Sequence, residues 1–193
     1  MVASLLHRIV AAALAVTLLA ACGDSSGPPQ GNPPTSLSGT AQDPAGDGGT
    51  ADMVGVTVTA DVDSVIFQTN FAPGVLGSGD RWVIFTMDID NQTSTGDATR
   101  DPPGAEYEVL VAEDRQDVTV YHYESGSWAG LGTFGAIYIS GNTLTARIPR
   151  TAFGGDEGGL RFKVSSSTLD PGCSCYTQQD LLPDAGMPPA VVQ

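Results

Sequence analysis

The chain has 193 residues and a formal net charge of -14, from 8 Lys and Arg against 22 Asp and Glu. That balance argues against nucleic acid and anionic lipid surfaces as partners, and the length suits one domain. The acidic side chains keep an exported domain soluble, and they offer oxygen ligands that suit calcium better than transition metals.

The first element is a leader. His7 and Arg8 form a short basic start, and Ile9 to Ala20 is apolar apart from Thr17. Small residues, Ala20 and Ala21, then precede Cys22. This order predicts a secretory signal peptide over residues 1–21. The apolar run is too short for a spanning helix, which needs roughly 20 residues. Leu19-Ala20-Ala21-Cys22 resembles a bacterial lipobox. The resemblance implies a lipoprotein, with cleavage before Cys22, diacylglycerol on its sulfur, and a further acyl chain such as palmitate on its new amino group. Each buried CH2 contributes about 0.8 kcal/mol, so more than one chain anchors stably. The competing reading is an ordinary secreted protein. The expected address is the extracytoplasmic side of the bacterial cell envelope, with the membrane as partner through the lipid. Gly23, where an Asp would be a retention signal, implies the outer membrane if the cell has one.

Residues 22–36 follow as the lipidated Cys and a tether, GDSSGPPQGNPPTS after Cys22. It is too poor in apolar residues to fold and reads as a disordered spacer.

From residue 37 the pattern is β. Val54, Val56 and Val58 alternate with Gly55, Thr57 and Thr59; Val65, Phe67, Thr69 and Phe71 alternate with Ile66, Gln68 and Asn70. Arg81 to Ile89 is apolar on both sides, as in a central strand, and Trp82 is expected in the core. Further strands are predicted around Tyr107–Val111, Asp117–Glu124, Phe134–Ser140, Leu144–Ile148 and Leu160–Ser165. Trp128 is placed in a turn after Ser125-Gly126-Ser127. Pro149 to Gly155 reads as a single helical turn. Period-2 runs separated by Gly, Asp and Asn turns indicate an all-β, antiparallel sandwich or barrel of about eight strands over residues 37–186, with 187–193 as a tail.

The densest polar stretch is MDIDNQTSTG, Met87 to Gly96. Asp88 and Asp90 share a side of the strand end, and Asn91 and Thr93 add oxygens. Calcium takes about six to eight oxygen ligands, which such a loop supplies in part. It is not an EF-hand, because Thr93 and Thr99 stand where that loop has Gly and Glu. The alternative is an Asx- and Thr-rich turn that binds its own backbone. Two more acidic groups lie at Asp43, Asp47 and Asp52, and at Asp180 and Asp184.

With Cys22 lipidated, Cys173 and Cys175 remain of three cysteines. Export favours disulfides. The Cys-Ser-Cys pair suits a local disulfide, a bond to a partner chain, or a soft metal. A tetrahedral zinc set cannot be assembled from Cys and His alone, since His122 is the one histidine after cleavage.

In order, DPAGD, ADMVGVTVTADVDSVIFQTNF, WVIFTMDIDNQTSTGD, GAEYEVLV, VYHYESGSW, TLTARIPRTAFG and DLLPDAG resemble the DOMON/family 9 carbohydrate-binding-module-like superfamily. The resemblance spans Asp43 to Gly186. It implies a jelly-roll-like β-sandwich that binds sugars or haem, commonly as an accessory module, in some cases with structural metal ions. It matches Asp88, Asp90 and Gly96 to the acidic loop and Tyr107 to the Gly-x-x-Tyr strand.

A sugar site stacks aromatic rings on apolar sugar faces, beside polar groups. Candidates are Trp128, Tyr121, Tyr123 and Tyr138; the competing role for each is packing within the sandwich. For haem, the resemblance implies Met and His axial ligands, here Met87 and His122, although both are in phase with core residues. Catalysis is not expected. The mature chain has one histidine and neither a Gly-x-Ser-x-Gly elbow nor a His-Glu-x-x-His motif. The expectation is therefore a non-catalytic module for a polysaccharide. The alternatives are a structural or adhesion domain binding an envelope component, stiffened by calcium, and a haem redox module.

Overall fold

The computed structural model describes residues 37–193 except 116–117, 155–158, 171 and 174. The expected leader, Cys22 and tether lie outside the described residues. No described helix is long and apolar enough to cross a membrane.

The described residues form two antiparallel sheets. The chain runs β1 (Leu37–Gln42), β2 (Met53–Ala60), β3 (Ser64–Phe71), β4 (Arg81–Asp88), β5 (Tyr107–Ala112) and β6 (Val118–Glu124). It continues through β7 (Ser127–Phe134), β8 (Ala136–Ser140), β9 (Thr143–Pro149), β10 (Leu160–Asp170), β11 (Cys175–Leu182) and β12 (Ala190–Val192). One sheet has the order β1-β2-β3-β9-β8; the other has β11-β10-β4-β5-β6-β7, with β12 also on β10. The fold is an all-β sandwich.

Alternation builds the core between the sheets. Val164, Phe85, Val109 and Val120 form one inner row across four strands, each with no exposed surface. Val58, Phe67 and Ala146 form its counterpart in the facing sheet. The Phe67 and Phe85 rings meet between the sheets with centroids 4.6 Å apart, and Phe153 closes on Phe67 at 6.4 Å. Phe153 ends a 3-10 helix, Arg150–Phe153, where the helical turn was expected, and Gly154 caps it in the left-handed conformation.

Several expectations change. The predicted strand Phe134–Ser140 is two strands in different sheets: β7 ends at Phe134, Gly135 turns the corner with φ 70, and β8 pairs with β9. Trp128 lies in β7 rather than in a turn. Its glycine-rich strand was hard to recognise because it is an edge that buries little and bulges opposite Val120 and Tyr121. The expected tail 187–193 contributes β12. Gln193 then exchanges backbone hydrogen bonds with Ser38, at 3.1 and 3.4 Å, tying the last residue to β1 of the other sheet. Cys173 and Cys175 are disulfide-bonded at the β10–β11 hairpin.

Candidate functional site

Residues out of phase with the core project from the outer face of the larger sheet, and sheet register sets them in rows. Ser167, Trp82 and Ala112 form one row, and Ser165, Ile84, Leu110, Thr119 and Thr133 the next. Lys163, Thr86, Glu108, Tyr121 and Gly130 follow, and the last row holds Arg161 and Asp88, with the cross-strand pair Tyr123 and Trp128 at its far end.

The expectation that Trp82 packs the core is therefore corrected. Val83, Phe85 and Met87 take the inner face, so Trp82 points outward and is half-buried. It stacks on Tyr176 of β11 at 3.6 Å between centroids, and the Arg115 guanidinium stands 5.7 Å from its ring centre. Tyr176 escaped the sequence reading because β11 is polar and exposed over its first half. The signal available for Trp82 was its phase against Val83 and Phe85.

Three of the four expected sugar-stacking residues, Tyr121, Tyr123 and Trp128, share this face. Tyr138 does not: it sits on β8 of the other sheet, 61% exposed. Trp128 has a second task. Its indole Nε1–H donates to Asp97 Oδ2 at 2.9 Å, Arg100 lies 5.3 Å above its ring, and Tyr123 lies 5.4 Å to its side. Asp97 belongs to the β4–β5 connection, residues 89–106, closed at its base by an Asp97–Ala105 bridge. Thus Trp128 clamps that connection onto the sheet. The Thr99 hydroxyl, first, and the Trp128 indole hold the Asp97 carboxyl below the usual carboxylate range.

Other ties fasten the same connection. Arg100 Nε pairs with Glu108 at 3.1 Å, and Lys163 Nζ with Asp101 at 2.7 Å. This cover leaves Lys163 only 2% exposed although it projects from the outer face. Burial pushes the Glu108 carboxyl up, while Arg100 opposes the shift.

The expected calcium loop is rearranged. Carboxylate oxygens of Asp88, Asp90 and Glu106 lie within 4.8 Å of one another. Asn91 instead turns its amide toward the Gly159 carbonyl at 3.3 Å, with its own backbone at φ 59. Thr93 is exposed, its backbone against Gly104. Glu106 was missed because it lies across the loop, on the strand side. Burial raises its pKa, against hydrogen bonds from Thr95 and the Ile89 N–H that lower it.

The other two acidic groups converge. Carboxylate oxygens of Asp43, Asp47 and Asp184 also lie within 4.8 Å of one another. Beneath them Asp52 accepts from the Gly46 and Gly48 N–H groups, and Asp180 from the Met53 N–H at 2.7 Å. Asp43 is pushed up to about 6, first by loss of water around it and then by Asp47, Asp184, Asp180 and Asp52. The folded-state pKa lies above the unfolded value of 3.8, so the proton favours the fold. That stability is fully present below the unfolded pKa and is lost as pH rises through about 6. Asp43→Asn is therefore expected to raise the melting midpoint by a few degrees at pH 7 in chelator, and to leave it unchanged at pH 4. A thermal melt at the two values checks this.

Met87 and His122 do not fit the haem role. They flank Tyr107 in one inner row, Met87 is 1% exposed, and the Tyr107 ring lies 4.6 Å from the imidazole. The space a macrocycle would need between them is occupied by Tyr107, itself packed edge-on against Phe153.

Comparison with protein-family models, with curated proteins and with solved structures finds no significant match.

Proposed function

We propose that this chain is a lipid-anchored, non-catalytic carbohydrate-binding module whose ligand surface is the outer face of the larger sheet. The observation that carries the reading is the Trp82–Tyr176 stack. Neither ring serves the core, and Tyr176 keeps 37% of its surface open to solvent. An aromatic face in that setting buries the apolar C–H side of a pyranose, while the half-buried Ser165 and the exposed Arg115 suit its hydroxyls. Tyr121 lies on the same face, two strands from Trp82 on β6. The leader and Cys22 pattern supports delivery to the envelope, where polysaccharides are the abundant partner.

The test is retention of the full chain, in detergent, on a panel of insoluble polysaccharides and arrayed glycans. At least one glycan is expected to bind. Tyr176→Ala is expected to weaken it at least about tenfold, corresponding to about 1.4 kcal/mol. Tyr138→Ala, on the opposite sheet, is the control and binds as the parent does. A parent chain that retains no glycan, or a Tyr176→Ala chain that binds equally well, overturns the reading and leaves a structural envelope domain in its place.

A further inference from the structure

Strand β8 leaves one side of its sheet open. It ends the order β1-β2-β3-β9-β8 and, among the described residues, pairs with β9 alone, without a register shift. Its other side presents unpaired N–H and C=O groups, a template for a further strand. The remaining edges are guarded: Gln193 is bonded to β1, β7 bulges, and β11 carries Asp180 and a bulge. Strand β8 has none of these devices. From Glu124 to Arg147 the chain holds no charged residue between them and no proline.

Ile137 and Ile139 are in phase with the core, opposite Ala146 and Leu144, which have no exposed surface. Ile137 packs on the core, but Ile139 is left 45% exposed. The strand's own sequence says what fits there. Gly135-Ala136-Ile137-Tyr138-Ile139-Ser140-Gly141 reads alike in both directions, apart from Ala136 against Ser140. An antiparallel partner runs in reverse, so a second copy turned about a two-fold axis at Tyr138 repeats the pattern in register. Ile137 of each copy then stands opposite Ile139 of the other, on the face where Ile139 lacks cover. Branched cross-strand pairs of this kind stabilise a sheet. Charge agrees: two chains of net charge -14 repel each other least where charged side chains are absent. A basic partner would gain nothing at this neutral edge.

We propose that β8 is a homodimer edge, at which two copies pair β8 with β8 antiparallel about Tyr138 and join their smaller sheets into one. Trp82 and Tyr176 lie in the other sheet, so this proposal stands independently of the sugar-binding reading.

The experiment is sedimentation of the full chain in density-matched detergent. A five-residue ladder is a small contact, of the transient class below about 1,200 Å². A dimer is expected with a Kd of about 10^-6 to 10^-4 M. Ile139→Lys, at an exposed edge position, is expected to raise that Kd at least about tenfold, because pairing would set an ammonium against an isoleucine. Its N-terminus is that of the parent, so association through shared micelles would be the same in both. Circular dichroism confirms the fold. In a second arm, Tyr138→Cys under mild oxidation is expected to give a covalent dimer. Facing Cα atoms of an antiparallel pair lie about 4.5–5.5 Å apart, within reach of a disulfide. Met187→Cys, at a residue 57% exposed, is the control and stays monomeric. If Ile139→Lys does not fold, the cross-linking arm decides. The proposal is overturned by a parent that is monomeric up to about 1 mM, a ceiling above the expected Kd. It is equally overturned by a folded Ile139→Lys chain that dimerises as the parent does, or by Tyr138→Cys cross-linking no faster than Met187→Cys.

Discussion

Gly135→Ala is expected to destabilise the domain by about 2–4 kcal/mol although the residue is exposed. Gly135 joins β7 of one sheet to β8 of the other with φ 70, a region where a Cβ costs about 1–2 kcal/mol by itself. An added Cβ would also collide with the Arg147 carbonyl oxygen and press on the Ile148 backbone. Those atoms belong to β9, which is held on its other side by β3, so they have little room to retreat. Relief requires the corner to open, which pulls β8 away from β9 or β7 away from β6. The measurement is denaturant unfolding of the parent and Gly135→Ala. A matched Gly126→Ala change gives the comparison: it also has positive φ, 85, but has open space where the Cβ would go. Gly135→Ala should lose clearly more stability than Gly126→Ala. Equal losses would show that the conformation alone, and not the contact with β9, sets the cost.

Phe67→Ala is expected to have the larger effect, about 3–5 kcal/mol. Phe67 has no exposed surface and touches Phe85 of the facing sheet and Phe153 of the 3-10 helix. Its removal leaves a cavity at the centre of the sandwich, bounded by strands that backbone pairing holds in place, so collapse is limited. Natural domains are stable by only about 5–15 kcal/mol, so the change takes a large share of the total. The melting midpoint should fall by roughly 10 °C, given about 2–4 °C per kcal/mol at this chain length. Phe85→Ala and the double substitution complete a cycle. The two rings should show a coupling of about 0.5–1.5 kcal/mol, because each loses its partner when the other is truncated. Additive losses would mean that the rings fill space without a specific mutual contact.

The strands easiest to recognise in sequence are those with large apolar residues on one side. Val56 and Val58, Phe67, Val109 and Val111, and Phe162 and Val164 all fall on the inner face as their alternation indicates. Strand β1 has only Leu37, Gly39 and Ala41 on its buried side, and β12 is three residues long. Both are specified by the neighbours that accept them, so their own residues give little warning. Strand β7 fails for a similar reason: its glycines bury nothing, and only pairing with β6 identifies it. The candidate site was partly legible. Tyr121, Tyr123 and Trp128 share a face because they obey the same period on adjoining strands. Trp82 was assigned to the wrong side because its strand is apolar on both faces. Glu106 was overlooked because nothing in the acidic loop points across to it.

The amino-acid sequence by itself determined the all-β character, the positions of the main core strands and which of their residues face the core. These follow from side-chain alternation along a single strand, a local property that needs no knowledge of neighbours. Only the tertiary structure decided that Trp82 meets Tyr176, that Glu106 joins Asp88 and Asp90, and that the last residues tie the two sheets together. Such meetings depend on sheet order and register. Register is set by pairing between strands far apart in the chain, so no local pattern contains it.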